Sequence, residues 1–507
     1  MSDHSEAVPD GDKKLFWACF IALIATAFGF IVRALVIDDW QAEFGLTETQ
    51  KGEIFGVGLW PFAISIVLFS LIIDRIGYGR AMVFAFLCHV VSAIVTIRAQ
   101  GYWDLWIGNF IVALGNGTVE AVINPVVATM FVRNKTKWLN ILHAGWPGGL
   151  VLGGLLTIAL GQDATWQTKV GLIFIPVVAY AILMFGRTFP VNERVAAGVS
   201  FKAMLSEVGL LGAFVVNYLM FAEVSKVFSW SPTVMWALIG VVTIGFGAYV
   251  QSLGNLLFVF LLLIMLPLAT TELGVDSWIT DLMGPAMGEI GVDAGWVLVY
   301  TSFVMMVLRF NAGPIVHRIS PLGLLAVSSV IAALGLVTLS SASGIMILVA
   351  ATLYGVGKSF FWPTMLGVVA EQFPRGGALT LNATGGVGML GVGVVGAVFL
   401  GAIQDKQVAA DLASYDAANN TQLVEQYVTL EKESVLGAYT AADPDLIKEA
   451  PEADQEAIQG IEAGAKKNAL KTTAAFPVVM LLCYLALIAF FRSRGGYRAV
   501  DISAESP

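Results

Sequence analysis

The sequence Ser70-Leu-Ile-Ile-Asp-Arg-Ile-Gly-Tyr-Gly-Arg80 places a charged, glycine-containing turn between two apolar segments. The segment before the turn, about 54–73, and the segment after it, about 81–99, are each close to 20 residues long and carry almost no charge. A helix of about 20 apolar residues satisfies its own backbone polar groups and spans the hydrocarbon core of a bilayer. The stretch therefore predicts two transmembrane helices joined by a short charged turn.

Apolar segments of this kind recur along all 507 residues, of which 57% are hydrophobic and 13% charged. A soluble domain carries about 25% charged residues, so the composition excludes a soluble multi-domain enzyme. The net charge of -9 and the absence of a basic stripe exclude a nucleic-acid binder. Fourteen spans are predicted, at about 15–36, 54–73, 81–99, 105–132, 139–161, 168–187, 203–223, 232–251, 255–274, 294–313, 321–342, 345–370, 378–402 and 472–491.

Basic residues are concentrated in alternate loops between these spans, which predicts the orientation of the chain. The span at 203–223 is the weakest because it contains Glu207, Asn217 and Glu223. If it did not cross the membrane, every later loop would change sides and the charge pattern would be lost. We therefore expect an even number of spans, both termini in the cytoplasm and a location in the plasma (inner) membrane.

The predicted organisation has six helices, then two, then six. A cytoplasmic N-terminus (1–14) precedes an N-terminal half (15–202), an inserted helix pair (203–251), a C-terminal half (252–498) and a cytoplasmic tail (499–507). Within the second half, the loop 403–470 contains thirteen acidic residues and five lysines and is expected on the outer side. Its Ala, Glu and Gln content favours short helices, either as a solvated cap or as a docking surface for a partner.

The two halves are similar when the chain is aligned with itself at an offset of about 239–243 residues. Gly115-Asn-Gly117 then falls near Gly355-Val-Gly357, and each is followed by a proline, Pro125 and Pro363 respectively. His143-Ala-Gly likewise falls on Asn382-Ala-Thr. Two six-helix halves related by duplication indicate a secondary transporter with its site near the membrane midplane.

The turn at 70–80 resembles the signature loop of the major facilitator superfamily, and His317-Arg318 resembles its degenerate second copy. This resemblance implies an all-α polytopic membrane protein with the major facilitator fold, here two six-helix halves plus two inserted central helices. In that family the loop latches the two halves on the cytoplasmic side. The resemblance implies a conformational latch formed by Asp74, Arg75, Gly77, Arg80, Arg309 and Arg318. For Arg309, snorkelling of the side chain from a helix end is an equal alternative.

A second resemblance lies in Gly115-x-Gly117-x-x-Glu120-x-x-x-Asn124-Pro125 and Asn140-x-x-His143. These residues are similar to the fucose-galactose-proton symporter branch of the superfamily, in which a glutamate and amide side chains line a sugar site. The chain departs from that branch at Ala34, where a carboxylate is expected and a basic residue, Arg33, is adjacent. The resemblance implies a substrate site that includes Glu120, Asn124, Asn140 and His143.

Four charged residues lie inside the spans, where a charge by default faces a cavity and has a partner. Arg33, Glu120, Glu272 and Lys358 lie on the helices that line the central cavity in the superfamily. In one interpretation Arg33–Glu120 and Glu272–Lys358 are structural ion pairs. In the other, Glu120, and less strongly Glu272, gains and loses a proton during transport. Asp276 and Asp281 are expected in a solvated loop at the outer mouth.

The uncharged polar residues favour a hydroxylated ligand, because amides both donate and accept hydrogen bonds as a sugar hydroxyl does. Asn140 and His143, three residues apart, are expected on one helix face. The alternative is interhelical hydrogen bonding, and His143 is a second candidate for the proton. Trp146, Trp278 and Trp362 are candidates to stack on a sugar ring, or else anchor the helices at the membrane interface.

No catalytic constellation, cofactor motif or metal-ligand cluster is recognised, so no enzyme activity, cofactor or metal is predicted. The favoured function is alternating-access secondary transport of a small hydrophilic solute, a monosaccharide, with proton symport (or sodium in its place). Its expected partners are the solute, the ion and the lipid bilayer, and the chain is expected to be a monomer. Two alternatives stay open: a transporter of a small organic or inorganic anion that uses Arg33 and Lys358, and a non-transporting receptor with the same fold.

Overall fold

The computed structural model describes residues 10–161, 163–275, 295–316, 318–434 and 437–502. Within these residues, thirteen helices are long and apolar enough to cross a membrane. A shorter apolar helix, Leu298–Phe310, coincides with the predicted span 294–313, whose first residue lies outside the described part. Each of the other thirteen predicted spans falls on one of the long helices, so the all-α polytopic prediction is confirmed.

In the first part of the chain, the described residues form ten helices. They are α1 (Asp10–Phe44), α2 (Glu48–Gly56), α3 (Trp60–Ile76), α4 (Tyr78–Ile97), α5 (Tyr102–Met130), α6 (Lys135–His143), α7 (Gly145–Ala159), α8 (Trp166–Gly171), α9 (Phe174–Met184) and α10 (Glu193–Ala196). Below, the Asp74 end denotes the end of the bundle at which α3 finishes. The Trp40 end denotes the opposite end, where α1 finishes.

The next helices, α11 (Phe201–Val227) and α12 (Pro232–Val250), are the predicted inserted pair. α11 is interrupted at Gly209, whose φ of +57° favours glycine. The interruption is satisfied by the linker after α12, because Leu210 N–H donates to the Ser252 carbonyl at 2.9 Å and Asn255 N–H donates to the Glu207 carbonyl at 3.0 Å. α12 packs against α11 and is otherwise largely exposed.

The remaining elements complete the bundle and form the acidic loop. They are α13 (Leu256–Ala269) with a π-helical turn (Thr270–Gly274), α14 (Gly295–Phe310), α15 (Ala312–Val316), α16 (Pro321–Ser341), α17 (Met346–Lys358), α18 (Phe361–Gln372), α19 (Gly377–Gly391) with a π-helical turn (Val392–Gly396), α20 (Ala397–Asn419), α21 (Leu423–Tyr427), β1 (Leu430–Ser434), β2 (Gly437–Ala441), α22 (Pro444–Lys448), α23 (Glu452–Thr473) and α24 (Ala475–Ser493).

The loop 403–470 folds as a small cap with its own core of six buried residues, Val408, Leu412, Leu423, Tyr427, Ile458 and Ala465. The predicted helices are present, but the antiparallel hairpin β1–β2 was not predicted. The Tyr439 hydroxyl donates to the Asp405 carboxylate at 3.0 Å. Burial, together with that hydrogen bond, raises the pKa of Tyr439 to about 12, so the hydroxyl remains a donor at neutral pH.

Close contacts between early and late helices depend on small residues. α3 packs on α19, α7 packs on α14, and α6 packs on α18. Within the first part of the chain, Gly117 of α5 lies against the backbone of α3, and a Cβ at this position would be 2.2 Å from the Phe62 carbonyl oxygen. The glycine is therefore required by the approach of two helix backbones.

Gly117→Ala is expected to lower the melting temperature of the detergent-solubilised protein, because the methyl group must displace backbone of α3. Overpacking of this kind costs about 1–3 kcal/mol. The matched control is Gly240→Ala in α12, where nothing lies within 4 Å of the added Cβ. Equal melting temperatures for the two variants, followed by tryptophan fluorescence, would contradict the close packing of α3 and α5.

Candidate functional site

Prolines within the helices leave backbone carbonyls without their usual donor, and these carbonyls organise the centre of the bundle. Pro125 lies inside α5 and has no N–H to donate to the Ala121 carbonyl four residues earlier. Asn382 of α19 donates its side-chain amide to that carbonyl at 3.1 Å. The sequence Asn124-Pro125 thus creates an acceptor that joins an early helix to a late one.

The break between α17 and α18 is also caused by a proline, and several side-chain hydrogen bonds compensate for it. Pro363 leaves the Ser359 carbonyl free, and Arg309 Nε donates to it at 2.6 Å. Trp362 N–H, in the first turn of α18, has no partner within its helix and donates to Glu272 Oε2 at 2.9 Å. Arg309 Nη2 in turn donates to Glu272 Oε1 at 2.6 Å. One buried ion pair therefore satisfies both sides of the broken helix.

Arg309 also reaches the first part of the chain. Pro147 frees the His143 carbonyl, and Arg309 Nη1 donates to it at 2.9 Å. The guanidinium is 1% exposed and is held by two proline-freed carbonyls and one carboxylate from three separate elements. In the closed arrangement of the structure, Arg309 ties α6 to the α13–α14 region and to α18.

A second hydrogen-bond chain runs from Glu120 through Asn124 to His143. Asn124 Nδ2 donates to Glu120 Oε2 at 2.6 Å, which leaves its Oδ1 as the acceptor facing His143 Nε2 at 2.9 Å. This order assigns the Nε2–H tautomer to His143. Glu120 is 6% exposed and, within the described residues, has no cationic partner in hydrogen-bond contact.

The hydrogen bonds of Arg309 and those that link Glu120 to His143 meet at a cavity of about 30 Å³. Its polar wall consists of Glu120, His143, Glu272 and Arg309, and Trp146 and Trp362 contribute aromatic rings. A site for a small organic ligand has about 300–1,000 Å³. The cavity is therefore closed to a volume that suits one or two waters, and a sugar-sized ligand requires the helices to separate.

The structure brings together most of the predicted site residues, but not in the predicted pairs. Glu120, His143, Glu272 and Trp362 line the cavity, and Asn124 connects two of them. Asn140 lies deeper between α6 and α18, where its amide donates to Thr364 Oγ1 at 3.2 Å. Asn140 is thus placed for interhelical bonding and is not among the cavity-lining residues.

The expected ion pairs are corrected by the structure. Arg33 does not reach Glu120 in the described part of the chain, since it donates to the Gly29 carbonyl and to Ser92 Oγ in another cavity. Glu272 is bonded to Arg309, and the Lys358 ammonium lies over the Tyr354 ring, 5.4 Å from its centroid. Arg309 itself was expected in the latch, but the proline-freed carbonyls hold it at the centre.

At the Asp74 end, Asp74 forms an ion pair with Arg194, which the sequence did not single out. The other predicted latch residues lie nearby or at the surface. Arg75 lies over the Phe201 ring at 5.4 Å, Gly77 ends α3 with φ of +84°, and Arg80 and Arg318 are exposed.

The contacts that join early and late helices at this end were missed. Lys135 Nζ donates to Glu193 at 2.5 Å and to the Ala370 carbonyl at 3.1 Å. Thr136 donates its hydroxyl to Glu371 Oε1 at 2.5 Å. A sequence signal existed, because Glu371 is an acid directly after an apolar span, on the side where basic residues predominate. Asp276, Trp278, Asp281 and His317 lie outside the described residues.

The comparison with protein-family models decides the family. The model for the Major Facilitator Superfamily matches residues 18–397, which is most of the chain.

The chain belongs to the Major Facilitator Superfamily.

It is therefore a multi-pass membrane protein of a transporter superfamily.

Individual relatives are distant. The chain is 24% identical over 174 residues to the cis,cis-muconate transport protein of Acinetobacter baylyi, covering 34% of this chain and 42% of the relative. It is 23% identical over 199 residues to a probable sugar efflux transporter of Helicobacter pylori, covering 39% and 51% respectively. The chain thus matches about half the length of these curated relatives.

Among solved structures, the fucose:proton symporter FucP of E. coli has a TM-score of 0.56 at 15% identity, with 92% of this chain and 98% of that chain covered. At this identity the similarity shows the fold, and the substrate is a separate question.

The coupling between Arg309 and Glu272 can be measured by a double-mutant cycle. Glu272→Gln and Arg309→Met each remove the counter-charge of this buried ion pair, which costs about 3–5 kcal/mol. We expect the double variant to lose much less stability than the two single variants lose in total, which its melting temperature will show.

The matched control is the partly exposed pair Lys432–Asp405 (3.0 Å), where Lys432→Met and Asp405→Asn should be additive because exposed pairs contribute about 0–1 kcal/mol. Additive losses at Arg309 and Glu272 as well would show that the pair does not hold the centre together.

Proposed function

We propose that this transporter carries a small neutral, hydroxylated solute, a monosaccharide, together with a proton, by alternating access. The observation that carries the proposal is the charge balance of the central cavity. Its arginine, Arg309, is already paired with Glu272, whereas Glu120 is bonded to a neutral amide. A proton on Glu120 neutralises that buried charge, and a neutral solute leaves the balance unchanged.

Recognition of a hydroxylated solute is supported by the groups that line the cavity. Glu120, the Asn124 amide and the His143 imidazole provide donors and acceptors on adjacent helices. The rings of Trp146 and Trp362 offer apolar surfaces for the C–H face of a sugar.

The proton is assigned to Glu120 in preference to Glu272. Glu272 accepts hydrogen bonds from the Arg309 guanidinium and from Trp362 N–H, and both stabilise its charged form. Glu120 has a single neutral donor, so protonation costs it less. When solute hydroxyls replace Asn124 as its partner, the protonation of Glu120 becomes coupled to occupancy of the site.

The charge pattern of the loops supports one orientation of the chain in the membrane. We assign the Asp74 end to the cytoplasm of a plasma (inner) membrane, with both termini on that side. The two moving bodies are then the halves 15–202 and 252–498, with 203–251 at the periphery. The contacts of Lys135 and Thr136 with the end of α18 form the cytoplasmic gate.

A small organic anion is the second candidate, because one relative is a cis,cis-muconate transport protein. For that solute, Arg309 would have to leave Glu272 and pair with a substrate carboxylate. The two candidates differ in a direct way: the first requires proton uptake driven by neutral sugars, the second by carboxylates.

In proteoliposomes, Glu120→Gln is expected to reduce the proton uptake driven by neutral hexoses or pentoses by about tenfold or more. It should retain exchange of labelled sugar, because exchange needs no net proton release. Proton uptake is followed with an internal pH dye, with sugar acids and small carboxylates as the comparison set.

Glu431→Gln, an exposed carboxylate in the cap, is the matched control and should behave as the wild type. Unchanged proton uptake in Glu120→Gln would overturn the assignment of the proton. A signal from carboxylates and none from neutral sugars would favour the second candidate.

A further inference from the structure

A second cavity of about 30 Å³ lies at the Trp40 end, among α1, α2 and α5. Arg33 and Trp40 of α1 line it, together with Asn109 and Asn116 of α5. Asn116 is four residues before Glu120 on the same helix, so the cavity lies about 6 Å further along the bundle axis than the central site. The two cavities have no lining residue in common.

Several buried donors at this cavity have no acceptor in the described part of the chain. Arg33 is 6% exposed, and its Nε has no hydrogen-bond partner. Trp40 is 1% exposed, and its indole Nε1 also has none. A buried donor without an acceptor costs about 1–3 kcal/mol, and more when it is charged. An acceptor bound in this small cavity would satisfy both the Arg33 and the Trp40 donor.

A third donor follows from the hydrogen bonds around His89. Its Nε2 faces Asn116 Oδ1 at 2.9 Å, and its Nδ1 faces the Tyr180 hydroxyl at 3.0 Å. The tyrosine hydroxyl donates to Nδ1, so Nε2 carries the hydrogen and Asn116 Oδ1 accepts it. The Asn116 amide is then oriented with its NH₂ group away from His89, and the residue lines the cavity.

No carboxylate neutralises Arg33 in the part of the chain that is described. It donates to the Gly29 carbonyl at 3.2 Å and to Ser92 Oγ at 2.8 Å, and Ser92 passes its own hydrogen to the Gly108 carbonyl. The acids near the Trp40 end have other partners. Asp38 pairs with Lys51 at 2.5 Å, Asp39 pairs with Lys169 at 3.5 Å, and Glu53 accepts from Tyr102 at 2.5 Å.

We propose that this cavity binds a small anion, with the Arg33 guanidinium as its counter-charge and Trp40 and Asn116 as further donors. The free Nε–H and a remaining Nη–H of Arg33 form the two-pronged edge that fits a carboxylate. The volume admits a formate-sized group or a halide and excludes a sugar acid. The anion satisfies the unpaired donors and the buried positive charge together, one helical turn from Glu120.

The test is the melting temperature of the purified, detergent-solubilised protein titrated with sodium formate and, separately, with sodium chloride. Sodium gluconate, which is too large for the cavity, keeps the ionic strength constant. A ligand of the folded state at concentration c stabilises it by RT ln(1 + c/Kd), so the melting temperature rises once the ligand concentration exceeds Kd and then increases with its logarithm. We expect this rise in the wild type, and in Arg33→Gln we expect it to begin at a concentration about tenfold higher, because a charged hydrogen-bond partner is lost.

The matched control is Arg98→Gln, which removes the same charge from an exposed position at the Trp40 end and should titrate as the wild type. Trp40→Phe removes the indole N–H donor together with the five-membered ring that carries it, so it should weaken binding severalfold even if Arg33→Gln does not fold.

A response to formate alone identifies a carboxylate as the ligand, and a response to chloride alone identifies an inorganic anion. An equal response in Arg33→Gln and the wild type, or no response in the wild type, overturns the proposal. The measurement does not involve transport, so its result is independent of the proposed solute and of the proton.

Discussion

A carbonyl that loses its helical donor inside a membrane must find another donor within the protein, and this constraint determines the centre of the structure. Pro125, Pro147 and Pro363 each create such a carbonyl. Arg309 satisfies two of them and Asn382 the third. Because the donors come from late helices and two of the acceptors from early ones, the same bonds that repair the helices also join the two parts of the chain.

The identity of the donor has an electrostatic consequence. Arginine brings a positive charge into the bundle, and Glu272 neutralises it while accepting the free N–H of the broken helix α18. The partner of Glu120 is a neutral amide, that of Asn124, which is itself hydrogen-bonded to His143. In the proposed function, structural repair and proton coupling are therefore assigned to different carboxylates, whereas the sequence offers both as proton carriers and favours Glu120.

The fold could be predicted from the sequence because span length and charge asymmetry are local properties. The resemblance in 115–143 also predicted that Glu120, Asn124 and His143 lie in one site. The partners of the charges could not be predicted, because hydropathy does not give the depth of a side chain or its rotamer. Arg309 was expected in the latch or snorkelling from its helix end, but the structure buries it at the centre. In one interpretation Arg33 was paired with Glu120, but it lines a different cavity. The three prolines were the available signal, since each marks the carbonyl four residues earlier.

The central claim is that Glu120, and not Glu272, exchanges a proton in the closed cavity. Infrared difference spectroscopy of the reconstituted protein, recorded across a step to acidic pH, measures this directly through the C=O stretch of a protonated carboxylic acid. The account predicts a band that disappears in Glu120→Gln and persists in Glu272→Gln. A band that persists in Glu120→Gln and disappears in Glu272→Gln would contradict it.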